Sequence, residues 1–189
     1  MNQGYRWIGL LMLVAVVACG GGDSAYEEPA VEDVAEAVEA AVETVAVDPA
    51  VLEMQAGCAA AADAMAARQA EASLYDRLGG REAIFTVTTD VIRRHRENAT
   101  IVHLMAGVDD ARLISQVTDF LAQAAGGDVE YVGMNMADAH GHLNLSDEHF
   151  LAAGGDVQDA LVAAGVGEGE VQEVMCMFAS LRGDVVRQG

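Results

Sequence analysis

Tyr131-Val132-Gly133-Met134-Asn135-Met136-Ala137-Asp138-Ala139-His140 runs from a glycine-punctuated loop into a short helical segment that ends on a histidine. On a helix, Met136 and His140 are one turn apart and share a face, whereas His142 lies two residues further on and points away. A metal held jointly by His140, His142 and Asp138 would therefore need a third element. A lone histidine on a half-buried helix is more often a satisfied core residue than a ligand, so the chemistry of His140 depends on its surroundings.

Helix signals surround this stretch on both sides. Ser73 opens a short helix to Leu78, which Gly79-Gly80 stops. Arg81 to Glu97 reads as a second helix, with Ile84, Val87, Val91 and Ile92 on one face. Asp109 or Asp110 starts a third, which runs to Ala125 and stops at Gly126-Gly127. Ser146 caps a helix to about Ala164, where Ser146-Asp147-Glu148-His149 resembles a weak capping arrangement. Glu168 to Arg182 is the last. No window alternates with period two in strand-forming residues, so the predicted fold class is all-α.

Composition narrows the function. The chain has 189 residues, 30 acidic and 10 basic side chains and a net charge of -20. Such acidity cannot neutralise a phosphate backbone, so no nucleic-acid partner is expected. All ten basic residues are Arg; with no lysine, a P-loop NTPase is excluded. There is no Cys-x-x-Cys, which removes zinc ribbons and thioredoxin-like sites, and no Cys-x-x-Cys-His for a covalently attached haem. Gly-x-Ser-x-Gly and His-Glu-x-x-His are absent, and no carboxylate pair stands out for acid–base work.

The N-terminus reads as an address. Arg6 precedes a nearly unbroken apolar run from Ile8 to Val17, too short for a comfortable membrane span of about 20 residues. It ends in Val16-Val17-Ala18-Cys19, followed by Gly20-Gly21-Gly22, which resembles the lipobox of bacterial lipoproteins. Residues 1–18 are thus expected to be a lipoprotein signal peptide and Cys19 a lipidated residue. Lipoprotein sorting in general points to the cell envelope, at the outer membrane facing the periplasm. Residues 19–72 are expected to form an acidic, Ala/Glu-rich tether, solvated and partly helical. Glu32, Glu36, Glu39 and Glu43 interleave there with Val34, Val38, Val42 and Val45, a thin apolar stripe. Cys58 and Cys176 either pair, tying the tether to the last helix, or stay as a free thiol and a small buried hydrophobe.

Residues 73–187 carry a family resemblance. Ser73-Leu74-Tyr75-Asp76-Arg77-Leu78-Gly79-Gly80 resembles the opening of the group I truncated haemoglobins. Gly107 in the following loop, Arg112-Leu113, Ala125-Gly126-Gly127 and the lead-in to His140 are similar in order and spacing. So are Leu145-Ser146-Asp147-Glu148-His149-Phe150, Asp159-Ala160-Leu161, Gly165-Val166 and Leu181-Arg182-Gly183-Asp184-Val185. The resemblance implies a truncated two-over-two globin fold around a non-covalent haem b, with His140 as the proximal iron ligand and Met136 beside it. It implies that Leu145 and Phe150 line the proximal face of the haem. Leu113, Val117 and Leu121 would line the distal face. Met105 stands where the family normally has a haem-stacking Phe.

The distal side departs from the family. The tyrosine that commonly serves as a ligand-binding donor on the second helix is replaced by Ile92, and a commonly polar position on the third helix is Val117. The chain's tyrosines, Tyr5, Tyr26, Tyr75 and Tyr131, lie outside both helices, and its one tryptophan is Trp7. Gln116 and, less readily, His103 are the nearby polar candidates. The expected function is reversible binding of a diatomic gas (oxygen, CO or NO) on an envelope-tethered chain. The alternatives are a haem-based redox or sensor lipoprotein, or a nitric oxide dioxygenase served by an electron-donor reductase.

Overall fold

A computed structural model describes residues 47–187. The expected signal peptide, Cys19 and the tether up to residue 46 lie outside the described residues. The helices are α1 (Pro49–Glu71), α2 (Leu74–Arg77), α3 (Gly80–Glu97), α4 (Asp110–Ala124), α5 (Met136–His140), α6 (Asp147–Ala163), α7 (Glu168–Ser180) and α8 (Arg182–Val185). A 3-10 turn, Val102–Met105, lies between α3 and α4. The only β-type pairing among the described residues is an isolated bridge, Leu145 to Val186. The all-α expectation holds, with two differences of detail. The 3-10 turn was not expected, and the last predicted helix breaks after Ser180 and resumes as α8.

The caps are those the sequence signals. Ser73 Oγ accepts from the Asp76 N–H, and the Asp109 side chain accepts from the Arg112 N–H. Ser146 and His149 close a reciprocal capping box at α6, with histidine where glutamate or glutamine is usual. The Ala125–Gly127 stop does more than end α4. The Tyr75 N–H donates to the Ala125 carbonyl at 2.9 Å, and the Tyr75 ring lies across Gly127, where a Cβ would come within 2.6 Å of it. Only glycine lets the end of α4 dock on α2.

Helix α3 packs on both α4 and α6, and α6 packs on α7, which gives two helix pairs stacked on each other. Leu74, Val87, Val91, Ala125, Ala160, Leu161 and Val174 form the first core. Thr88 and Thr118 meet between α3 and α4 with their hydroxyls 2.7 Å apart, both buried. The second core gathers Val51, Leu145, Phe150 and Val185, with Met136, Leu143 and Phe178 packed against it. Phe150 and Phe178 stack at 4.3 Å between ring centroids. Gly154 admits that stack, since a Cβ there would meet Phe178 at 2.9 Å.

The largest difference from expectation is α1. A solvated, partly helical spacer was expected over this stretch; instead, 23 residues form one helix that packs along α7. Asp48 caps it and Pro49 takes the first turn, where a missing N–H costs nothing. Three attachments hold it. Cys58 is disulfide-bonded to Cys176, which resolves the two readings of these cysteines in favour of pairing. At the C-terminal end, Arg68 Nε donates to Glu173 at 2.6 Å and Gln69 Nε2 to the same carboxylate at 3.2 Å. Arg77 from α2 adds a third donor at 2.6 Å. At the other end, the Asp48 N–H donates to Asp147 Oδ2 at 2.9 Å, while Val51 is fully buried in the second core. A helical stripe of one valine and one alanine gives almost no periodic signal, and a covalent bond and a buried carboxylate give none at all.

Two outcomes are expected. The disulfide closes a loop of 118 residues, so Cys58→Ser should lower stability by about 2–5 kcal/mol in urea titrations; an unchanged midpoint would contradict the docking of α1. The second concerns pH. The Arg182 fork, assisted by the Asp48 N–H and opposed by burial, holds Asp147 below the ordinary carboxylate range. For Glu173, burial is the largest single influence and pushes upward, but Arg77, Arg68 and Gln69 together outweigh it and hold the group low. Unfolding therefore takes up protons at both groups. Their stabilisation is complete above the ordinary carboxylate range and lost as pH falls through the depressed folded values. Urea midpoints should drop steeply across that acid interval, and less steeply in Asp147→Asn.

Candidate functional site

The site begins with Asn135, whose side chain accepts from the Asp138 N–H and caps α5. That single turn carries His140 at its end. The His140 Nδ1 lies 2.9 Å from the Met136 carbonyl oxygen. A carbonyl can only accept, so Nδ1 carries the proton and donates. In the neutral ring Nε2 then keeps its lone pair, and it has no hydrogen-bond partner among the described residues. In its neutral form this half-buried imidazole could ligate a metal through Nε2. His142, by contrast, is exposed and bonds to nothing among the described residues.

The apolar residues expected around His140 fall into groups. Met136, Leu145 and Phe150 come together in the second core. Ile92 and Met105 are both buried but belong to neither core cluster. Leu113 and Val117, on α4, are half-buried and likewise outside both clusters. Leu121, one turn beyond Val117, sits against the first core, in the wall of a small apolar cavity with Leu78, Ile84, Val87, Leu161 and Val166. The three α4 residues are thus divided, Leu113 and Val117 outside the cores and Leu121 packed on one.

Arginine positions the start of α4. Arg96 donates to the carbonyls of Met105 (2.7 Å) and Val108 (3.0 Å) and pairs with Asp110, so it ties the loop after the 3-10 turn to the end of α3. Sequence reading missed this staple, as it missed two histidine contacts. His95 Nδ1 lies 2.7 Å from Asp156 Oδ2, which also accepts from Asn98. His103 is exposed in the 3-10 turn, edge-on to His149 at 5.7 Å between centroids. Asp156 lies about 60 residues from His95 and Asn98 in sequence, and no spacing rule reveals such pairs. Among the described residues, no group of three or more His, Cys, Asp or Glu side chains could hold a metal ion. His140 would offer a metal one protein nitrogen, with Met136 one turn before it on the same helix. The donor set thus fits haem iron, which globins hold through one axial histidine.

Comparison with known proteins agrees. Residues 73–187 match the family model described as bacterial-like globin. A group 1 truncated hemoglobin of Mycolicibacterium paratuberculosis is 34% identical over 119 residues, which cover 62% of this chain and 88% of that protein. One from a Nostoc species is 27% identical over 116 residues, covering 61% and 98%. Among solved structures, truncated hemoglobin from Tetrahymena pyriformis in its Fe(III) form superimposes with a TM-score of 0.60 at 26% identity, over 62% of this chain and all of that one. The 2/2 hemoglobin of a Synechococcus species, with covalently attached heme, gives 0.58 at 26% identity over 61% and 98%.

The tautomer can be checked on the chain without cofactor. Nitrogen-15 NMR should find His140 protonated at Nδ1, against the Nε2-protonated form that free imidazole side chains favour. An Nε2-protonated His140 would remove the lone pair on which the site depends.

Proposed function

This chain belongs to the bacterial-like globin family, as a group 1 truncated haemoglobin, and from that premise we propose that His140 Nε2 holds a b-type haem on an envelope-tethered protein. As a member it is a haem-binding globin for diatomic gas ligands, with haem iron as its cofactor. The observation that carries the His140 reading is the hydrogen bond from Nδ1 to the Met136 carbonyl. It makes Nδ1 the donor, orients the ring and leaves Nε2 turned away from that bond. Met136, Leu145 and Phe150 give the histidine side an apolar floor. Haem held by His140 would supply the iron that binds a small gas.

The residues that the family resemblance sets on the distal side would determine how firmly the gas is kept. Ile92 offers no donor, and neither do Leu113 and Val117. Oxygen held at a haem takes on partial negative charge, and a charge-assisted hydrogen bond to it is worth about 1.5–3 kcal/mol. Without that bond, oxygen leaves about 10- to 100-fold faster if the whole loss falls on release. His103, in the 3-10 turn, meets His149 of α6 edge-on, and Gln116, half-buried on α4, is the other polar candidate. The reading is of a globin that takes up gas readily and retains oxygen weakly.

The tether reading rests on Val16–Gly22. A diacylated or triacylated Cys19 anchors strongly, at about 0.8 kcal/mol per buried methylene. No helix among the described residues is long and apolar enough to cross a membrane.

Titration of the full chain with haem, followed by absorption, should give stoichiometric uptake that His140→Ala weakens sharply and His142→Ala leaves largely intact. The reverse pattern would move the ligand to His142. Stopped-flow oxygen release should slow about 10- to 100-fold in Ile92→Tyr; slow release already in the wild type, unchanged in Gln116→Leu, would reveal a donor elsewhere in the pocket. On fractionation, the wild type should follow membranes and Cys19→Ser should not.

A further inference from the structure

Helix α1 ends at Glu71, two residues before the stretch that matches the globin family begins. It is an addition to the fold, and its contacts lead to the histidine-bearing helix. Val51, wholly buried, shares the second core with Leu145, Phe150 and Val185, and Met136 packs on that core. Met136 also supplies the carbonyl that fixes the His140 ring. A second route runs through Asp147. Its carboxylate accepts from the Asp48 N–H ahead of α1 and from both Nε and Nη2 of Arg182, the first residue of α8. Helix α8 is the neighbour on which α5 packs.

Helix α5 has five residues and no buried side chain. A single turn of that length has no stability of its own, so its position comes from what it packs against. The two routes from α1 therefore converge on an element that depends on external support.

We propose that α1 is a redox-sensitive clamp on the His140 side of the site, closed by the Cys58–Cys176 disulfide, and that opening it speeds haem loss. The inference rests on the reading of His140 as the haem ligand. Both cysteines are half-buried, and the position beside Cys58, Gly57, has open space around it, so a small dithiol can reach the bond. The reaction balances as a thiol–disulfide exchange: the dithiol loses two electrons and two protons to become a disulfide, and Cys58 and Cys176 gain them as two thiols. In an oxidising compartment the bond persists, as extracellular disulfides do. Reduction leaves α1 held by non-covalent contacts: the buried Val51 and Ala61, the Asp48–Asp147 hydrogen bond, the Arg68 bond to the Gly169 carbonyl and the Glu173 network.

The test uses the full chain loaded with ferric haem and an excess of apomyoglobin as acceptor. Haem transfer should be at least about tenfold faster after dithiothreitol treatment and desalting, and equally so in Cys58→Ser/Cys176→Ser, a factor equivalent to about 1.4 kcal/mol. Val51→Ala should accelerate loss with the disulfide intact. The control is Leu74→Ala, which removes buried volume from the first core instead. Compared at equal loss of thermal stability, Val51→Ala should release haem faster than Leu74→Ala. It should also shift the iron–histidine stretching band of the ferrous protein, which Leu74→Ala leaves in place. Equal transfer rates in the oxidised and reduced wild type would overturn the clamp alone. So would Val51→Ala behaving like Leu74→Ala in both readouts. A wild type that takes up no haem would overturn the His140 reading and the clamp with it.

Discussion

Asp147 holds its charge where the segment before α1, the start of α6 and the start of α8 meet. Burying a carboxylate is costly unless it is paired and its lone pairs are satisfied. Here the Arg182 fork takes both oxygens at 2.6 and 2.7 Å, and the Asp48 N–H takes a third contact. Three segments are fixed at one point by a group that cannot be displaced without leaving an unpaired charge. The second core forms directly behind it, and the short helix bearing His140 rests on that core. Glu173 does the same at the other end of α1, with Arg68, Gln69 and Arg77 converging on one buried carboxylate.

The parts of the fold governed by local rules could be read from the sequence. Ser73, Asp109 and Ser146 cap helices because a side-chain oxygen beside free N–H groups is a local event, and the glycine pairs stop helices for equally local reasons. The stripe Ile84, Val87, Val91, Ile92 is periodic and is buried as expected. Helix α1 failed the same test because nothing about its docking repeats. Its apolar contribution is Val51 and Ala61, and its attachments reach residues about 100 positions away. Net charge misled as well: an acidic, Ala-rich stretch reads as solvated, yet its single cation, Arg68, lies against a buried acid.

The histidine side of the site was more legible than the distal side. His140 and Met136 are four residues apart, so their shared face and the hydrogen bond between them follow from helix geometry. Leu145 and Phe150 follow closely in sequence and meet Met136 in one core. The residues expected on the distal side come from α3, the 3-10 turn and α4, and their arrangement depends on how the intervening loop is held. Arg96 holds it, through two carbonyls and Asp110, and an arginine bonded to backbone has no sequence signature. The division of Leu113 and Val117 from Leu121 depends on where that loop releases α4, so no spacing rule on α4 alone could anticipate it.

The absence of lysine is explained by the same contacts. A guanidinium presents several N–H donors in a rigid plane, whereas an ammonium is a compact, strongly hydrated point charge. Arg77 bridges Glu170 and Glu173, Arg182 grips Asp147 with two nitrogens, and Arg96 spans two carbonyls and a carboxylate. None of these could be reproduced by one lysine in the same place. In a chain of net charge -20, self-repulsion opposes compaction, and the few cations resist it most when each engages several acceptors at once. Arginine placed at buried or half-buried acids concentrates attraction where solvent screening is weakest, and leaves the remaining acids to a solvated surface where repulsion is cheapest. The composition that argues against a nucleic-acid partner and a P-loop is, in the folded chain, part of how α1 and the loop before α4 are held to the globin helices.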